Sequence, residues 1–491
     1  MQRYRPYEPS QTLMLPLDFE HTFPAGTYER FLVDTINGFD LSRFENCEMD
    51  AGGETPYDPR ALLGIVFLGF STGTFSSRRL SLACVRDIRY MFVGGGNAPE
   101  HSTICRFLEK YRDAIKDLFT QILYIADNIG LIDYRTIAID GTKIKGNASR
   151  QFTGSIADFE SKRARLDAQI KRALDKQKDS DDTEEKQYWE AKSQRYAKNR
   201  KRIDSFLAQA VERRNEDGGE RHQSSTDSDC RILKSREEYL CGYNAQVGID
   251  VGSGLLLAAE VVDLSNDKRA FPVMAEAIRA AAPADADVGE SAYLADNGYF
   301  SPDTFDYARG RDLDVYVSDR SAVELYEPPG NAKARIGSKD CRMESMDDGT
   351  VVLVCPGQLR IKASGKTRSD NQTVYRFRVG RNCSTCRDCA YFARCAGLNE
   401  RAAKEFQVDE RAVLGSSFME RHRQKLHSEP GKRLYGKRMS SVERVFGHLK
   451  ANNGFSAFLR RGLDRVNGEW MILAVGFNLR RLFVLTNGYG K

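Results

Sequence analysis

The stretch Thr136-Ile137-Ala138-Ile139-Asp140-Gly141-Thr142-Lys143-Ile144-Lys145 decides how the rest of the chain is read. Its first five residues are short, β-branched and almost continuously apolar, the pattern of a buried strand, and the strand is expected to end on the carboxylate of Asp140. A second run, Ser291-Ala292-Tyr293-Leu294-Ala295-Asp296, repeats the design. Where two such strands are neighbours in one sheet, their terminal acids meet. Taken singly, each acid is as well explained by capping a helix or pairing with an arginine.

Between the two runs, Phe159, Leu166, Ile170 and Leu174, then Trp189, Tyr196, Ile203 and Ala210, recur at four- and seven-residue spacing on either side of the acidic break Ser180-Asp181-Asp182-Thr183-Glu184-Glu185. That spacing predicts a long helical hairpin from about Ser155 to Arg214. A β-hairpin follows, Tyr243 to Ile249 and Leu255 to Val262 about the turn Gly252-Ser253-Gly254. A helix over Arg269 to Ala281, a helix start at Ser301-Pro302 and a strand over Leu313 to Val317 complete the pattern. The order strand, two hairpin strands, helix, strand, helix, strand is compatible with an RNase H-like mixed sheet.

Upstream, residues 28–130 carry helix-spaced apolar positions and predict an all-α domain. Within it, Ser102 reads as an N-cap leading into an amphipathic helix after Gly94-Gly95-Gly96; the segment is either a helix-turn-helix element or part of a plain bundle. Downstream, about 321–421 is irregular, with short strands such as Val351-Val352-Leu353-Val354 and Val374-Tyr375-Arg376-Phe377-Arg378 around the cysteines, and it shows too little apolar periodicity for a core of its own. Ser440 to Leu482 is helical again.

Composition bounds these readings. A chain of 491 residues exceeds one ordinary core and predicts about three structural units. With 41% hydrophobic and 29% charged residues it is a globular composition. No apolar run of membrane-spanning length occurs, and Met1-Gln2-Arg3-Tyr4-Arg5-Pro6 lacks the apolar segment of a signal peptide, so a cytoplasmic protein is expected. The net charge of +5 is modest for this length, and local charge says more: Lys and Arg concentrate over Arg421 to Arg461 and over Lys162 to Arg214. The second region reads as a solvated helix face.

Strand-end aspartates suit phosphodiester chemistry, in which two Mg²⁺ ions held by carboxylates activate the attacking oxygen and neutralise the leaving one. A third carboxylate is expected from a helix packed on the sheet. Glu443 in Ser440-Ser441-Val442-Glu443-Arg444-Val445-Phe446-Gly447-His448-Leu449-Lys450 fits, although Ser440-x-x-Glu443 is also a capping box.

Over most of its length the chain resembles the bacterial insertion-sequence transposases of the DDE class. The resemblance is carried by Ile139-Asp140-Gly141-Thr142-Lys143-Ile144, Gly242-Tyr243-Asn244-Ala245-Gln246, Asp296-Asn297-Gly298-Tyr299-Phe300-Ser301 and Val442 to Lys450, behind a helical N-terminal domain. It implies a DNA transposase that cleaves element ends and joins the 3′-hydroxyl to target DNA. Asp140, Asp296 and Glu443 would hold Mg²⁺, with Mn²⁺ able to substitute. The family's Tyr, Arg, Glu, Lys signature falls on Tyr435, Arg438, Glu443 and Lys450; the Arg-to-Glu gap is one residue longer than usual, which puts the role of Arg438 in question. Glu443 and Lys450, seven apart, share a helix face, so the lysine is expected at the phosphate.

The architecture expected is multidomain α/β: a DNA-end-binding helical domain over 1–130, an RNase H-like core over 131–320 with a helical-hairpin insertion within 151–230, a Cys-containing β insertion over 321–430, and C-terminal helices over 431–491 completing the core. Lys143 and Lys145 alternate after the first acid and are read as phosphate contacts or as guards of a sheet edge. The basic run Arg421-His422-Arg423-Gln424-Lys425, Lys432-Arg433 and Lys437-Arg438 lies where DNA would enter. Cys383, Cys386, Cys389 and Cys395, with Cys355, are candidate ligands of a structural Zn²⁺ or else free thiols. Trp189 and Trp470 read as core. The expected partner is double-stranded DNA, bound by a homodimer with part of the contact in the helical hairpin, and no membrane. Alternatives are a catalytically inactive transposase-derived DNA-binding regulator and a nuclease on the same fold.

Overall fold

The computed structural model of the chain describes residues 18–44, 56–215, 218–234, 239–283, 286, 288–318, 336–337, 341–345, 350–369, 372–379, 383–396, 404–409 and 416–487. The opening Met1 to Pro6 and parts of 321–430 therefore lie outside the described residues. Two compact units divide the chain: one holds the described residues up to Ile122 with Asn452–Phe455 and those from Met471 on, the other Leu123–Ala451 with Ser456–Trp470. The units thus part at Ile122, and the helical stretch from Met471 goes with the N-terminal one.

The first unit is all helical, with α1 (Phe19–Thr22), α2 (Tyr28–Asn37), α3 (Pro59–Thr72), α4 (Ser77–Arg86), α5 (Ile88–Val93), α6 (His101–Lys110) and α7 (Arg112–Asn128). Helix α3 starts where a helix should, at a proline behind the side-chain cap of Asp58, and it is buried from Ala61 through Ser71 on every face. It is the central rod about which the amphipathic helices pack. Helix α6 is capped at Glu100 without a side-chain hydrogen bond, so Ser102 lies inside the first turn and is not the cap that its sequence context predicts.

The second unit is built on β1 (Thr136–Lys145), which carries Ile137, Ala138 and Ile139 at zero exposure. After it come β2 (Thr153–Gly154), α8 (Ile156–Asp179), α9 (Thr183–Leu207), β3 (Gln223–Ser224), β4 (Arg231–Lys234), β5 (Tyr239–Asp250), β6 (Leu256–Val262), α10 (Ala270–Ala281), β7 (Ala292–Ala295), α11 (Pro302–Gly310) and β8 (Asp314–Val317). Strand β1 pairs antiparallel with β5, and β5 with β6; on its other edge β1 runs parallel to β7, and β7 to β8. Helices α10 and α11 supply the crossovers that parallel pairing needs. This is the order expected of an RNase H-like sheet. One expectation fails: β1 does not end on Asp140 but runs five residues further, because β5 continues alongside it as far as Gly242 opposite Lys145.

Helices α8 and α9 form the expected hairpin. A capping box of Ser155 and Asp158 starts α8, and Asp182 caps α9. Phe159 and Phe206 pack with ring centroids 4.5 Å apart, and Arg200 bonds Asp167 at 2.7 Å. The apolar seam thereby closes the hairpin on itself, through Ala173 and not the exposed Leu174. Trp189 is half-buried between the ammonium groups of Lys176 and Lys192, 4.6 and 4.7 Å from its ring.

A further sheet, β9 (Arg342–Ser345), β10 (Val351–Val354), β11 (Arg360–Ser369), β12 (Gln372–Val379) and β13 (Lys404–Asp409), is antiparallel throughout. Between β12 and β13 lie the short α12 (Ser384–Arg387) and α13 (Phe392–Ala396). Contrary to the sequence expectation, this region has a core of its own, made of Val351, Leu353, Ile361, Phe377, Val379 and Phe406. The chain then returns through α14 (Ser416–His427) and α15 (Glu429–Gly447), passes a π-helical turn at His448–Asn452, and ends in α16 (Leu463–Thr486).

Candidate active site

Helix α15 packs against β1 and β7 and brings Arg438 to both strand acids. The guanidinium Nη2 lies 3.0 Å from Asp140 Oδ1 and 4.0 Å from Asp296 Oδ2. Asp296 follows β7 directly and caps a 3₁₀ turn, accepting from Gly298 N at 2.8 Å. Asp140 Oδ1 also accepts from Gly141 N at 2.9 Å. Both bland readings of these acids, an arginine pair and a cap, are thus realised in the structure.

Electrostatics separates the site from an ordinary ion pair. A carboxylate beside an arginine should ionise more readily, and Asp263, held by Arg221 and Arg231, does lie below the usual carboxylate range despite its partial burial. Asp140 goes the other way. Burial, with added repulsion from Asp296 and Asp267, pushes its carboxyl up to about 6 against the pull of Arg438. One guanidinium does not neutralise the acids gathered there.

Asp267, in the loop between β6 and α10, is the acid that sequence reasoning missed. Its Oδ1 accepts from Asn244 Nδ2 and Gln246 Nε2, each at 2.8 Å. Asn244 and Gln246 stand in the quoted Gly242 to Gln246 motif, which was the available signal; nothing local to Asp267 marks it.

Glu443 is exposed on α15 and makes no ion pair among the described residues. The helix begins at Glu429, capped by Ser428, so Ser440 is interior and the capping-box alternative for Glu443 is excluded. Seven residues on, the π turn redirects the chain, and the Lys450 ammonium donates to Thr142 Oγ1 with the Phe446 ring 5.9 Å away. Alternation along β1 puts Thr142 on the face of Asp140, whereas Lys143 and Lys145 take the other face. Tyr435 is half-buried and donates to Ala295 O at 3.3 Å, beside Asp296. Two members of the upstream basic run are turned inward, His422 buried against the carbonyls of Val315 and Val317 and Lys425 paired with Asp314, while Arg421, Lys432, Arg433 and Lys437 are exposed. Trp470 is buried and donates to Gln246 O at 3.0 Å.

The cysteines gather under the second sheet. Cys355, Cys383, Cys386 and Cys395 pack on its core, and burial with a hydrogen bond to Cys383 pushes the Cys386 thiol up to about 12. Among the described residues, no group of three or more His, Cys, Asp or Glu side chains is arranged to hold a metal ion, and no helix is long and apolar enough to cross a membrane.

Two family models match the chain. One, described as a transposase DDE domain, covers residues 354–483 and so includes Glu443 and Lys450; the other, described as a transposase domain (DUF772), covers residues 17–110 of the helical unit. No curated protein and no solved structure matches. Similar to transposase models in both its N-terminal and its C-terminal parts, the chain has the matches that indicate an insertion-sequence DDE transposase with an N-terminal DUF772 region.

Proposed function

We propose that this transposase cleaves insertion-sequence ends and joins the freed 3′-hydroxyl to target DNA by two-metal phosphoryl transfer, with Asp140, Asp296 and Glu443 as the cation-binding acids. The observation that carries the reading is the convergence of Asp140 and Asp296 on the one guanidinium of Arg438, with Asp267 close by; Asp140 is pushed up to about 6, first by burial and then by those two acids. Carboxylate oxygens are the donors that a hard divalent cation takes. Bound there, two Mg²⁺ ions would activate the attacking oxygen and neutralise the leaving one.

The chain's own groups do the rest. Arg438 holds the cation-poor site together, and its Nε is buried with no partner among the described residues, a vacancy that a phosphate oxygen suits. Lys450, tethered beside Asp140 through Thr142, and Tyr435, beside Asp296, are placed to grip the reacting strand. Lys143 and Lys145, on the opposite face of β1, contact the backbone further out and contribute affinity without sequence information. Two ends must be held together before cutting, so the working species is a homodimer on double-stranded DNA, in the cytoplasm. The hairpin seam is spent internally, so any share α8 and α9 have in that contact falls to their outer faces. The cysteines of the second sheet are proposed to bind one structural Zn²⁺.

The test is end-DNA cleavage against end-DNA binding in one preparation. Asp140→Asn, Asp296→Asn and Glu443→Gln should each abolish cleavage with Mg²⁺ or Mn²⁺ while binding stays within about threefold. Retained cleavage in any one variant removes that residue from the cation-binding set.

A further inference from the structure

We propose that Asp267 is a positioning residue of this site, a fourth acid whose charge draws a divalent cation to Asp140 and Asp296. The inference rests on the two-metal reading above and adds a residue to it. Two buried polar side chains converge on its carboxylate, and a third holds one of them. Gln246 and Asn244, at 0% and 1% exposure, donate to Oδ1; the buried Tyr299 hydroxyl donates to Gln246 Oε1; and Gln246 Nε2 also donates to Asn244 Oδ1 at 2.9 Å. Burying such groups is expensive unless all are satisfied, and apolar side chains would fill a plain core at lower cost. The network's product is one fixed carboxylate.

It lies against two glycines, each close behind a proposed cation-binding acid. A Cβ on Gly141 would lie 2.9 Å from Asp267 Oδ1 and 2.1 Å from Gln246 Nε2, and one on Gly298 would lie 3.2 Å from Asp267 Oδ2 and 2.9 Å from Asp296 Oδ1. A side chain at Gly141 would crowd Gln246 first and then Asp267, and one at Gly298 would crowd Asp296 first and then Asp267. Gly141 stands opposite Gln246 in the β1–β5 ladder, so the network is anchored beside the strand that carries Asp140. Oδ2 receives no hydrogen bond among the described residues and faces the Asp296 side. Nor is the side chain a helix cap: the first amide of α10, on Ala270, bonds to the backbone carbonyl of Asp267.

Charge and geometry separate experimentally. Asp267→Asn keeps an oxygen to accept from Asn244 and Gln246 and loses only the charge; Asp267→Ser keeps a smaller neutral acceptor should the amide fold poorly. Titration of the full chain with Mn²⁺ alone, followed calorimetrically, should show affinity lowered by about tenfold or more in both variants, with the melting temperature of the metal-free protein unchanged or raised. Native protein that binds Mn²⁺ while both variants bind it equally well would overturn this inference alone. Native protein that binds no Mn²⁺ would overturn the two-metal reading and this inference with it.

Discussion

Replacing Asp140 by Asn should stabilise the metal-free protein while destroying its activity. The carboxyl is largely buried beside two acidic neighbours, and the lift from 3.8 to about 6 is worth roughly 3 kcal/mol against the charged form. The sign follows from proton linkage. Between the unfolded and folded values the native state binds the extra proton, so stability falls as pH rises through that window and the full penalty stands above pH 6. Asn is nearly isosteric and carries no charge, so it escapes the penalty, in which the pull of Arg438 is already counted. Melting in EDTA at pH 7 should therefore rise by about 5 °C, taking roughly 2 °C per kcal/mol for a unit of this size. The gain should vanish near pH 4, where native Asp140 is protonated too. Mg²⁺ should then raise the melting temperature of the native protein and leave that of the variant unmoved. A variant that melts at or below the native temperature in EDTA at pH 7 would refute the claim that the site stores uncompensated charge.

Glu469, buried in α16, accepts from the amides of Leu459 and Arg460 at 3.0–3.1 Å, so Glu469→Ala should strand two donors and cost about 2–4 kcal/mol by urea unfolding, with Glu469→Gln clearly milder. Lys450→Ala should lower cleavage at least about tenfold with little change in Mn²⁺ affinity, measured by the same calorimetry, since the ammonium is assigned to phosphate and not to metal. Elemental analysis should find one zinc per chain, and Cys383→Ser with Cys386→Ser should abolish it; zinc-free native protein with every cysteine titrating as a free thiol would end that assignment.

Long, regular signals were legible. The hairpin α8–α9 follows from its apolar spacing, and the β5–β6 turn from its glycines. The failures share a physical cause, that partners distant in sequence set the outcome. Asp140 looked like a strand end because the apolar run stops there, but β5 keeps pairing and carries β1 through Gly141 to Lys145. The second sheet looked coreless because its strands are short and basic, yet Arg376 and Arg378 alternate outward with Phe377 and Val379 inward, a period-two pattern open to reading. Asp267 carried no local mark, since it lies against two glycines and is held by a buried amide pair, all from other elements. Within the basic run, His422 and Lys425 are spent on β8, and nothing local distinguishes them from exposed neighbours such as Arg421 and Lys432.

The central claim is strand transfer at the Asp140, Asp296 and Glu443 site, and it is tested most directly by incubating the protein with labelled element ends and target DNA in Mg²⁺. The account predicts end fragments covalently joined to target by native protein, and none by Asp140→Asn. Cleaved ends that are never joined would point to a nuclease, and end binding with neither cleavage nor joining would point to an inactive DNA-binding relic; either result would contradict it.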